Sequence, residues 1–298
     1  MLYRNFSTQA QIDAQYNPSL GLAPGAAPMQ ALQAQAGEAR QRLRCTLDVP
    51  YGPTLAETLD IFPADLPQVP HAPHAPVLVF LHGGYWRALS SKDFSGVALG
   101  LVPRGVTTVV VNYALCPAVT IDEITRQCRA ALAWVLRNIG AHGGTPGGDA
   151  SRVAIAGHSA GAHLAAMALN TPWQADYGLP DDPFAAGLLF SGLYDLAPLR
   201  YSYLQPMVQI DEGVVQRQSP LRHVRRCATP VWCTWGSAES AEFARQSATQ
   251  HAAWLAAGNS GRLEAMDNAD HFSVIAGLCN PASPACDWLV ENLGATAP

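Results

Sequence analysis

The stretch "RVAIAGHSAGAHLAAMAL" at residues 152–169 decides how the rest of the sequence is interpreted. A short apolar run leads into "GHSAG" at residues 157–161, and a good helix former follows directly. The pattern G-x-S-x-G between a strand and a helix is typical of a nucleophile elbow, a turn that holds its serine in a strained backbone conformation. Ser159 is therefore predicted to project its hydroxyl beyond the carboxyl edge of a sheet, where doubly wound folds bind ligands. The alternative is an ordinary glycine-rich turn with a capping serine.

Strands and helices alternate along the chain on both sides of this stretch. Residues 77–81 and 106–111 are continuous apolar runs, as expected for strands that are buried on both faces. The other candidates are antiparallel strands at 45–49 and 55–62, strands at 153–156, 186–190, 230–235 and 262–266, and helices at 90–105, 121–138, 240–257 and 287–293. This alternation predicts the α/β class, with a mostly parallel sheet and helices on both faces.

A single domain over residues 1–298 is predicted, because no polar low-complexity linker divides the chain. Hydrophobic residues make up 49% of the chain and charged residues 14%, a composition typical of globular proteins. Residues 1–40 are rich in Gln, Ala and Pro, and we expect them to form an irregular N-terminal arm with short helices. Residues 194–221 fit the alternation poorly and are expected to form a small cap over the strand ends.

Charge, hydropathy and cysteine content indicate which partners, compartment and cofactors to expect. The net charge of −5 and the lack of a basic face argue against nucleic acid. No segment approaches the roughly 20 apolar residues of a membrane span, and the N-terminus does not resemble a signal peptide. Seven scattered cysteines without a C-x-x-C pair favour the reducing cytoplasm. The absence of metal-binding spacings predicts no metal and no cofactor. A homodimer is compatible with the sequence.

A serine hydroxyl is a poor nucleophile unless a base lies beside it. His271, just after the last predicted strand, is the candidate base. A carboxylate must in turn fix the tautomer of the imidazole. Glu239 is the first choice because it directly follows the strand at 230–235, and Asp195, after the preceding strand, is the rival. The residues alone leave both carboxylates open.

The stretch "VLVFLHGGYWRA" at residues 77–88 has a matching interpretation. The tetrahedral intermediate of acyl transfer carries an oxyanion, which backbone N–H groups can stabilise. Glycines after a strand allow the main chain to approach a substrate closely. The predicted donors are the N–H groups of Ala160, Gly84 and Tyr85, with Gly83 shaping the turn.

Four motifs resemble those of the arylformamidase (kynurenine formamidase) family of α/β-hydrolases. They are "HGGYW" at 82–86, "GHSAGAHLA" at 157–165, "GSAESAEFARQS" at 236–247 and "DNADHF" at 267–272. The similarity covers most of the chain and implies an α/β-hydrolase fold with Ser159 as nucleophile and His271 as base. The family's acid falls on Glu239, although the family usually has aspartate there. Family enzymes hydrolyse the N-formyl group of N-formylkynurenine, and relatives with the same pattern act on other aryl esters and amides.

The motifs and the resemblance together predict a serine hydrolase. We expect it to cleave a small aryl formamide, aryl amide or aryl ester through an acyl-enzyme. One alternative is a carboxylesterase for short-chain esters, and another is a catalytically silent α/β-hydrolase that serves as a binding module. Four aromatic residues near predicted strand ends are expected to wall the substrate pocket: Trp86, Tyr113, Tyr194 and Phe272.

Overall fold

Eight strands form one sheet in the part of the chain that the computed structural model describes, residues 1–20, 27–65, 74–142 and 147–295. In chain order they are β1 (Thr46–Pro50), β2 (Thr58–Phe62), β3 (Ala75–Leu81), β4 (Thr107–Val111), β5 (Gly148–His158), β6 (Ala186–Phe190), β7 (Val231–Gly236) and β8 (Gly261–Met266). Their order across the sheet is β1-β2-β4-β3-β5-β6-β7-β8. Strand β2 pairs antiparallel with both β1 and β4, and all other neighbouring strands pair parallel. The predicted mostly parallel sheet is confirmed.

The α-helices of the described residues are, in chain order, α1 (Gln9–Tyr16), α2 (Ala27–Arg42), α3 (Ala98–Leu101), α4 (Ile121–Asn138), α5 (Ala160–Leu169), α6 (Trp173–Tyr177), α7 (Gln205–Val208), α8 (Glu212–Gln218), α9 (Ala241–Ala256) and α10 (Pro284–Asn292). Short 3₁₀ helices complete the connections at Ser91–Asp93, Ser95–Val97, Val102–Arg104, Ile139–Ala141, Ala197–Tyr201, Pro220–Arg222 and Ser273–Cys279.

Strand β3 shows why helices must cover both faces of the sheet. All seven of its residues are buried. Val77 and Val79 belong to the apolar cluster that α4 and α5 share, whereas Leu78 and Phe80 belong to the cluster on the other face, with α3 and α10. Successive side chains of a strand point to opposite faces, so a continuous apolar run requires an apolar layer on each side.

The N-terminal arm is more helical than expected. Residues 21–26 of the arm lie outside the described residues, but α2 alone spans 16 residues, where only short helices were predicted. Leu32, Ala36 and Ala39 lie along one side of α2 and are buried. This side packs against the 3₁₀ helix Ser95–Val97. This packing stabilises α2. The helix has too few apolar residues to be predicted from its sequence pattern.

Other predicted elements also differ from the observed ones, residues 90–105 and strand β5 most clearly. Residues 90–105 form 3₁₀ turns around the four-residue α3 instead of one continuous helix, and Gly96, Gly100 and Pro103 all disfavour a long helix. Strand β5 begins at Gly148, five residues before the predicted start, because Gly148 pairs with Ala75 at the start of β3. The segment at 194–221, expected as a cap, contains α7, α8 and two 3₁₀ helices between β6 and β7.

Gly161 allows α5 to begin directly against the sheet. A Cβ atom at this position would lie 1.9 Å from the carbonyl oxygen of Leu81 and 2.5 Å from its carbonyl carbon. Backbone atoms inside a sheet cannot move away from such a contact without breaking strand pairing. The second glycine of the elbow is therefore required by the close approach of α5 to the end of β3.

The substitution Gly161→Ala is expected to lower the free energy of unfolding by about 3 kcal/mol or more, at the upper end of overpacking costs. Gly37→Ala is the matched control, because Gly37 lies within α2 with no atom near its missing Cβ. That change is expected to raise stability by about 0.5–1 kcal/mol, since alanine favours helix. Urea denaturation of both variants measures the difference. A Gly161→Ala protein as stable as the unmodified one would contradict the packing argument.

Candidate active site

Ser159 lies at a sharp turn between the end of β5 and the start of α5. Its backbone has φ 56° and ψ −119°, a region that side-chain-bearing residues rarely occupy. The backbone N–H of Ser159 donates a hydrogen bond to the carbonyl of Phe190 at 2.8 Å, which ties the turn to β6. Such strain costs of the order of 1–3 kcal/mol and persists only where the surroundings impose it. The turn has the form expected of a nucleophile elbow.

His271 links the serine to a carboxylate. Its Nε2 lies 3.1 Å from the Oγ of Ser159, and its Nδ1 lies 2.7 Å from Oε2 of Glu239. The side chains of His271 and Glu239 are only 6% and 1% exposed, so water competes little for these hydrogen bonds. A nucleophile, a base and an orienting carboxylate within hydrogen-bond reach can together transfer a proton from the serine.

The carboxylate that the structure brings to His271 is Glu239. Its Oε1 accepts hydrogen bonds from the N–H of Gly236 at 2.7 Å and from the hydroxyl of Ser191. These contacts leave Oε2 directed at the imidazole. The rival Asp195 instead accepts hydrogen bonds from the hydroxyl of Tyr3 at 2.7 Å and from the N–H of Ala197. Asp195 therefore anchors the N-terminal arm.

The glycine-rich loop after β3 lies against Ser159. A Cβ atom on Gly83 would lie 3.3 Å from the Cβ of Ser159. Gly84 has φ 115°, and Tyr85 and Trp86 follow at 50° and 56°, so three consecutive residues turn the chain in the left-handed region. Glycine at position 84 is required, because a Cβ atom there would lie 2.0 Å from the carbonyl oxygen of Ala88.

The backbone N–H groups predicted as oxyanion donors are available. Among the described residues, no protein acceptor pairs with the N–H of Gly84, Tyr85 or Ala160. The N–H of Ala160 is also at the first position of α5, where the helix itself provides no acceptor. Unpaired donors on both sides of Ser159 fit a site for a developing negative charge.

A cavity of about 160 Å³ opens in front of Ser159 and His271. Its walls are mainly apolar and aromatic, and they include Tyr85, Phe94 and Phe272. The cap segment contributes Tyr203, and the N-terminal arm contributes residues that the sequence analysis did not select: Pro18, Ser19, Met29 and Leu32. The "QIDAQYNPS" stretch at residues 11–19, part of the arm, was the one signal that could have pointed to them.

Three of the four aromatic residues expected in the pocket wall lie in the core behind it. Trp86, Tyr113 and Tyr194 are at most 2% exposed and do not line the cavity within the described structure. The indole N–H of Trp86 donates to Nδ1 of His163 at 3.2 Å. The hydroxyl of Tyr113 donates to the carbonyl of His82 at 2.6 Å, and the two rings stack. Interior partners for their polar atoms permit Trp86 and Tyr113 to be buried completely, whereas the buried hydroxyl of Tyr194 has no hydrogen-bond partner among the described residues.

Helix α1 of the arm is fastened to the elements that carry the site. The hydroxyl of Tyr16 donates to the buried carboxylate of Glu242 at 2.6 Å, and the hydroxyl of Ser240 donates to the carbonyl of Gln15 at 2.6 Å. The hydroxyl of Tyr85 donates to the carbonyl of Tyr16. The arm is thus bonded both to the start of α9, next to Glu239, and to the loop of the predicted oxyanion donors.

Three further histidines near the site are buried and structural. The Nε2 of His158 donates to the carbonyl of His271 at 2.7 Å and so fixes the backbone of the base. Burial lowers the pKa of His158 well below its ordinary value, and the nearby His271 lowers it further. Burial also lowers the pKa of His82 and of His163 to about 4. All three are therefore neutral at physiological pH.

Stability is expected to fall as the pH drops from 7 to 5. His82 and His163 have a pKa of about 4 in the folded protein, and the unfolded chain takes up the proton first because its histidines titrate near about 6.5. The stability that the two neutral histidines contribute is complete above the unfolded pKa of about 6.5 and is lost as the pH falls toward the folded pKa of about 4. Each is expected to lower the free energy of unfolding by about 2 kcal/mol between pH 7 and 5.

Urea denaturation at the two pH values measures this loss. The variant His163→Gln should reduce the difference by about a third, because His82 and His158 supply the rest. The exposed His223, replaced in the same way, should leave the difference unchanged. Equal free energies of unfolding at pH 7 and pH 5 in the unmodified protein would contradict the assignment.

Comparisons with known proteins identify the family. A family model described as BD-FAE matches residues 59–175. The kynurenine formamidase of Danio rerio is 31% identical over 273 residues, which are 90% of this chain and 88% of the relative. The chain belongs to the kynurenine formamidase family. Its family assignment and its α/β-hydrolase fold, both predicted from the sequence, are confirmed.

Other members of the fold extend the comparison. The esterase LipQ of Mycobacterium tuberculosis is 30% identical over 239 residues, 74% of this chain and 55% of that enzyme. A crystal structure provisionally described as a thioesterase from Silicibacter sp. tm1040 superimposes with a TM-score of 0.78 at 26% identity, over 92% of this chain and 97% of that one. This kynurenine formamidase relative is therefore a hydrolase, as predicted. No helix within the described ranges has the length and apolar character to cross a membrane.

Proposed function

We propose that the protein hydrolyses small aryl formamides, with N-formylkynurenine as the reference compound, through an acyl-enzyme on Ser159. The observation that carries the proposal is the chain of hydrogen bonds from Ser159 through His271 to Glu239, beside backbone N–H groups without protein acceptors. The kynurenine formamidase of Danio rerio supports the formamide as substrate class. The aromatic wall of the cavity supports an aryl group.

The first half of the reaction forms a formyl ester. The Oγ of Ser159 attacks the formyl carbon while its proton passes to Nε2 of His271. The carbonyl oxygen becomes an oxyanion, which the N–H groups of Ala160, Gly84 and Tyr85 stabilise. The carbon–nitrogen bond then breaks, and the leaving arylamine takes the proton from His271. Glu239 holds the proton on Nδ1 and stabilises the imidazolium throughout.

The second half restores the enzyme. A water molecule gives one proton to Nε2 of His271 and attacks the formyl ester. The resulting oxyanion uses the same N–H groups. When the ester bond breaks, the proton on His271 returns to Oγ of Ser159, and formate leaves with its acidic proton released to solvent. The formyl group is the smallest acyl group, which suits a cavity of about 160 Å³ that must also hold the aryl ring.

We also propose that residues 1–298 form one domain and that the enzyme is cytoplasmic. Apolar contacts join the arm, the sheet and the cap segment on one face of the sheet. All seven cysteines are unpaired, which supports a reducing compartment. A single cooperative unfolding transition, seen alike by tryptophan fluorescence and circular dichroism, is expected for one domain.

Rates on three substrates test the proposed reaction. We expect kcat/KM for N-formylkynurenine to exceed that for kynurenine-like aryl acetamides at least tenfold, and p-nitrophenyl acetate to be cleaved as well. Hydrolysis of esters without any formamide would favour the carboxylesterase alternative. No turnover of any of the three would favour the binding module.

A further inference from the structure

Arg87 is a charged side chain in the cavity that the triad does not use. Among the described residues that line the cavity, it is the one with a permanent charge. The rest of the wall is mainly apolar or aromatic, apart from the nucleophile and the histidines beside it. A cation that is partly removed from water into such surroundings needs an anionic partner.

The protein supplies no such partner within the described residues. No described aspartate or glutamate lies within ion-pair distance of the Arg87 guanidinium, and the side chain that it contacts, Tyr203, is a neutral phenol. Residues 21–26, 66–73, 143–146 and 296–298, which lie outside the described ranges, contain neither Asp nor Glu. Among the described residues the charge has no carboxylate partner, and an anionic ligand in the cavity would provide one.

The position of Arg87 ties this charge to the reacting centre. Its backbone N–H donates to the carbonyl of Gly84 at 3.1 Å, so it belongs to the same turn as the predicted oxyanion donors. Its guanidinium lies 5.7 Å from the centroid of the Tyr203 ring, which stands edge-on to Tyr85 at 6.4 Å. The charge is therefore held beside the aromatic surfaces that would contact an aryl group.

We infer that Arg87 binds a carboxylate on the aryl part of the substrate, so that the preferred substrates are acidic aryl formamides. This inference rests on the proposed function. A guanidinium presents paired N–H groups that match the two oxygens of a carboxylate. One positive charge balances a monoanion, whereas a phosphate ester would leave excess negative charge in the cavity. Binding there holds the aryl group at one end and leaves the formyl carbon near Ser159.

The test compares charged and neutral substrates of the same shape. The 2-, 3- and 4-formamidobenzoates are paired with the corresponding formamidobenzamides. We expect the unmodified enzyme to favour the benzoate in at least one pair, by tenfold or more in kcat/KM. Arg87→Gln should lower that ratio by about 10–100-fold, as loss of a hydrogen-bonded charge pair does, and Arg87→Lys should lower it less. The exposed Arg44, replaced by glutamine, is the matched control and should leave the ratio unchanged.

A purely structural or solvent-directed role of Arg87 gives a different result. Arg87→Gln would then lower kcat/KM equally for benzoate and benzamide, and the ratio would stay constant. That outcome, or the absence of any preference in the unmodified enzyme, overturns the inference.

Failure of the proposed reaction is separable from failure of this inference. If no formamide is hydrolysed, the same ratio is measured on acetoxybenzoates against acetoxybenzamides. Without turnover of either class, calorimetric titration with benzoate and benzamide provides the comparison. Benzoate binding that is lost in Arg87→Gln and retained in Arg44→Gln supports the inference, and equal binding of both compounds contradicts it.

Discussion

Replacing Ser159 with alanine is expected to lower kcat for a formamide or ester substrate by at least about 10⁴-fold, because removal of a triad nucleophile leaves only binding and oxyanion stabilisation. In the proposed reaction the Oγ of Ser159 accepts the acyl group, and no other described hydroxyl lies within hydrogen-bond distance of Nε2 of His271. The measurement is steady-state hydrolysis of N-formylkynurenine or p-nitrophenyl acetate by purified protein.

The variant should fold as the unmodified protein does. Ser159 donates and accepts backbone hydrogen bonds at the elbow that alanine retains, with Phe190 and with the N–H of His163. A midpoint of thermal unfolding within a few degrees of the unmodified protein therefore accompanies the loss of activity. Residual activity above one percent in a correctly folded Ser159→Ala protein would rule out the acyl-enzyme mechanism.

The second large effect is expected for Glu239→Gln. Oε1 of Glu239 accepts from Gly236 and Ser191, so the single oxygen of glutamine should stay with those donors. Its NH₂ group would then face Nδ1 of His271 and force the proton onto Nε2. That tautomer cannot accept the proton of Ser159. We expect kcat to fall by about 10⁴-fold, the size seen when a triad acid is replaced by its amide.

Two further variants decide whether the loss is specific. Glu239→Asp keeps a carboxylate that accepts from every donor, although it is one methylene shorter, and should retain at least 100-fold more activity than Glu239→Gln. Asp195→Asn breaks the contact with Tyr3 and should leave kcat within a few-fold of the unmodified value. A larger loss in Asp195→Asn than in Glu239→Gln would exchange the roles of the two carboxylates.

The positions of Ser159 and His271 in the fold could be predicted from the sequence because local rules determine both. Ser159 follows a buried strand and precedes a helix, and His271 follows the last strand. Parallel strands bring their carboxyl ends to one edge of the sheet, so residues 112 positions apart come within 3.1 Å. The carboxylate partner of His271 could not be predicted by the same rule, since Asp195 and Glu239 both follow strands that end at that edge.

Other features depend on contacts that no local pattern contains. Tyr16 reaches Glu242 across 226 residues, and this contact helps to bring the arm to the cavity. Strand-end aromatics could equally point into the pocket or into the core. Trp86 and Tyr113 are in the core because His163 and the carbonyl of His82 offer interior partners to their polar atoms. Such pairings emerge only when the packed structure is known.

Labelling with a fluorophosphonate, located by mass spectrometry of the digested protein, tests directly whether Ser159 is a nucleophile that His271 activates. We expect one adduct, on Ser159, which forms rapidly in the unmodified protein and at least about 10³-fold more slowly in His271→Ala, because the base is then missing. An adduct on a different residue, or labelling of Ser159 at the same rate without His271, would contradict the claim that these two side chains act together.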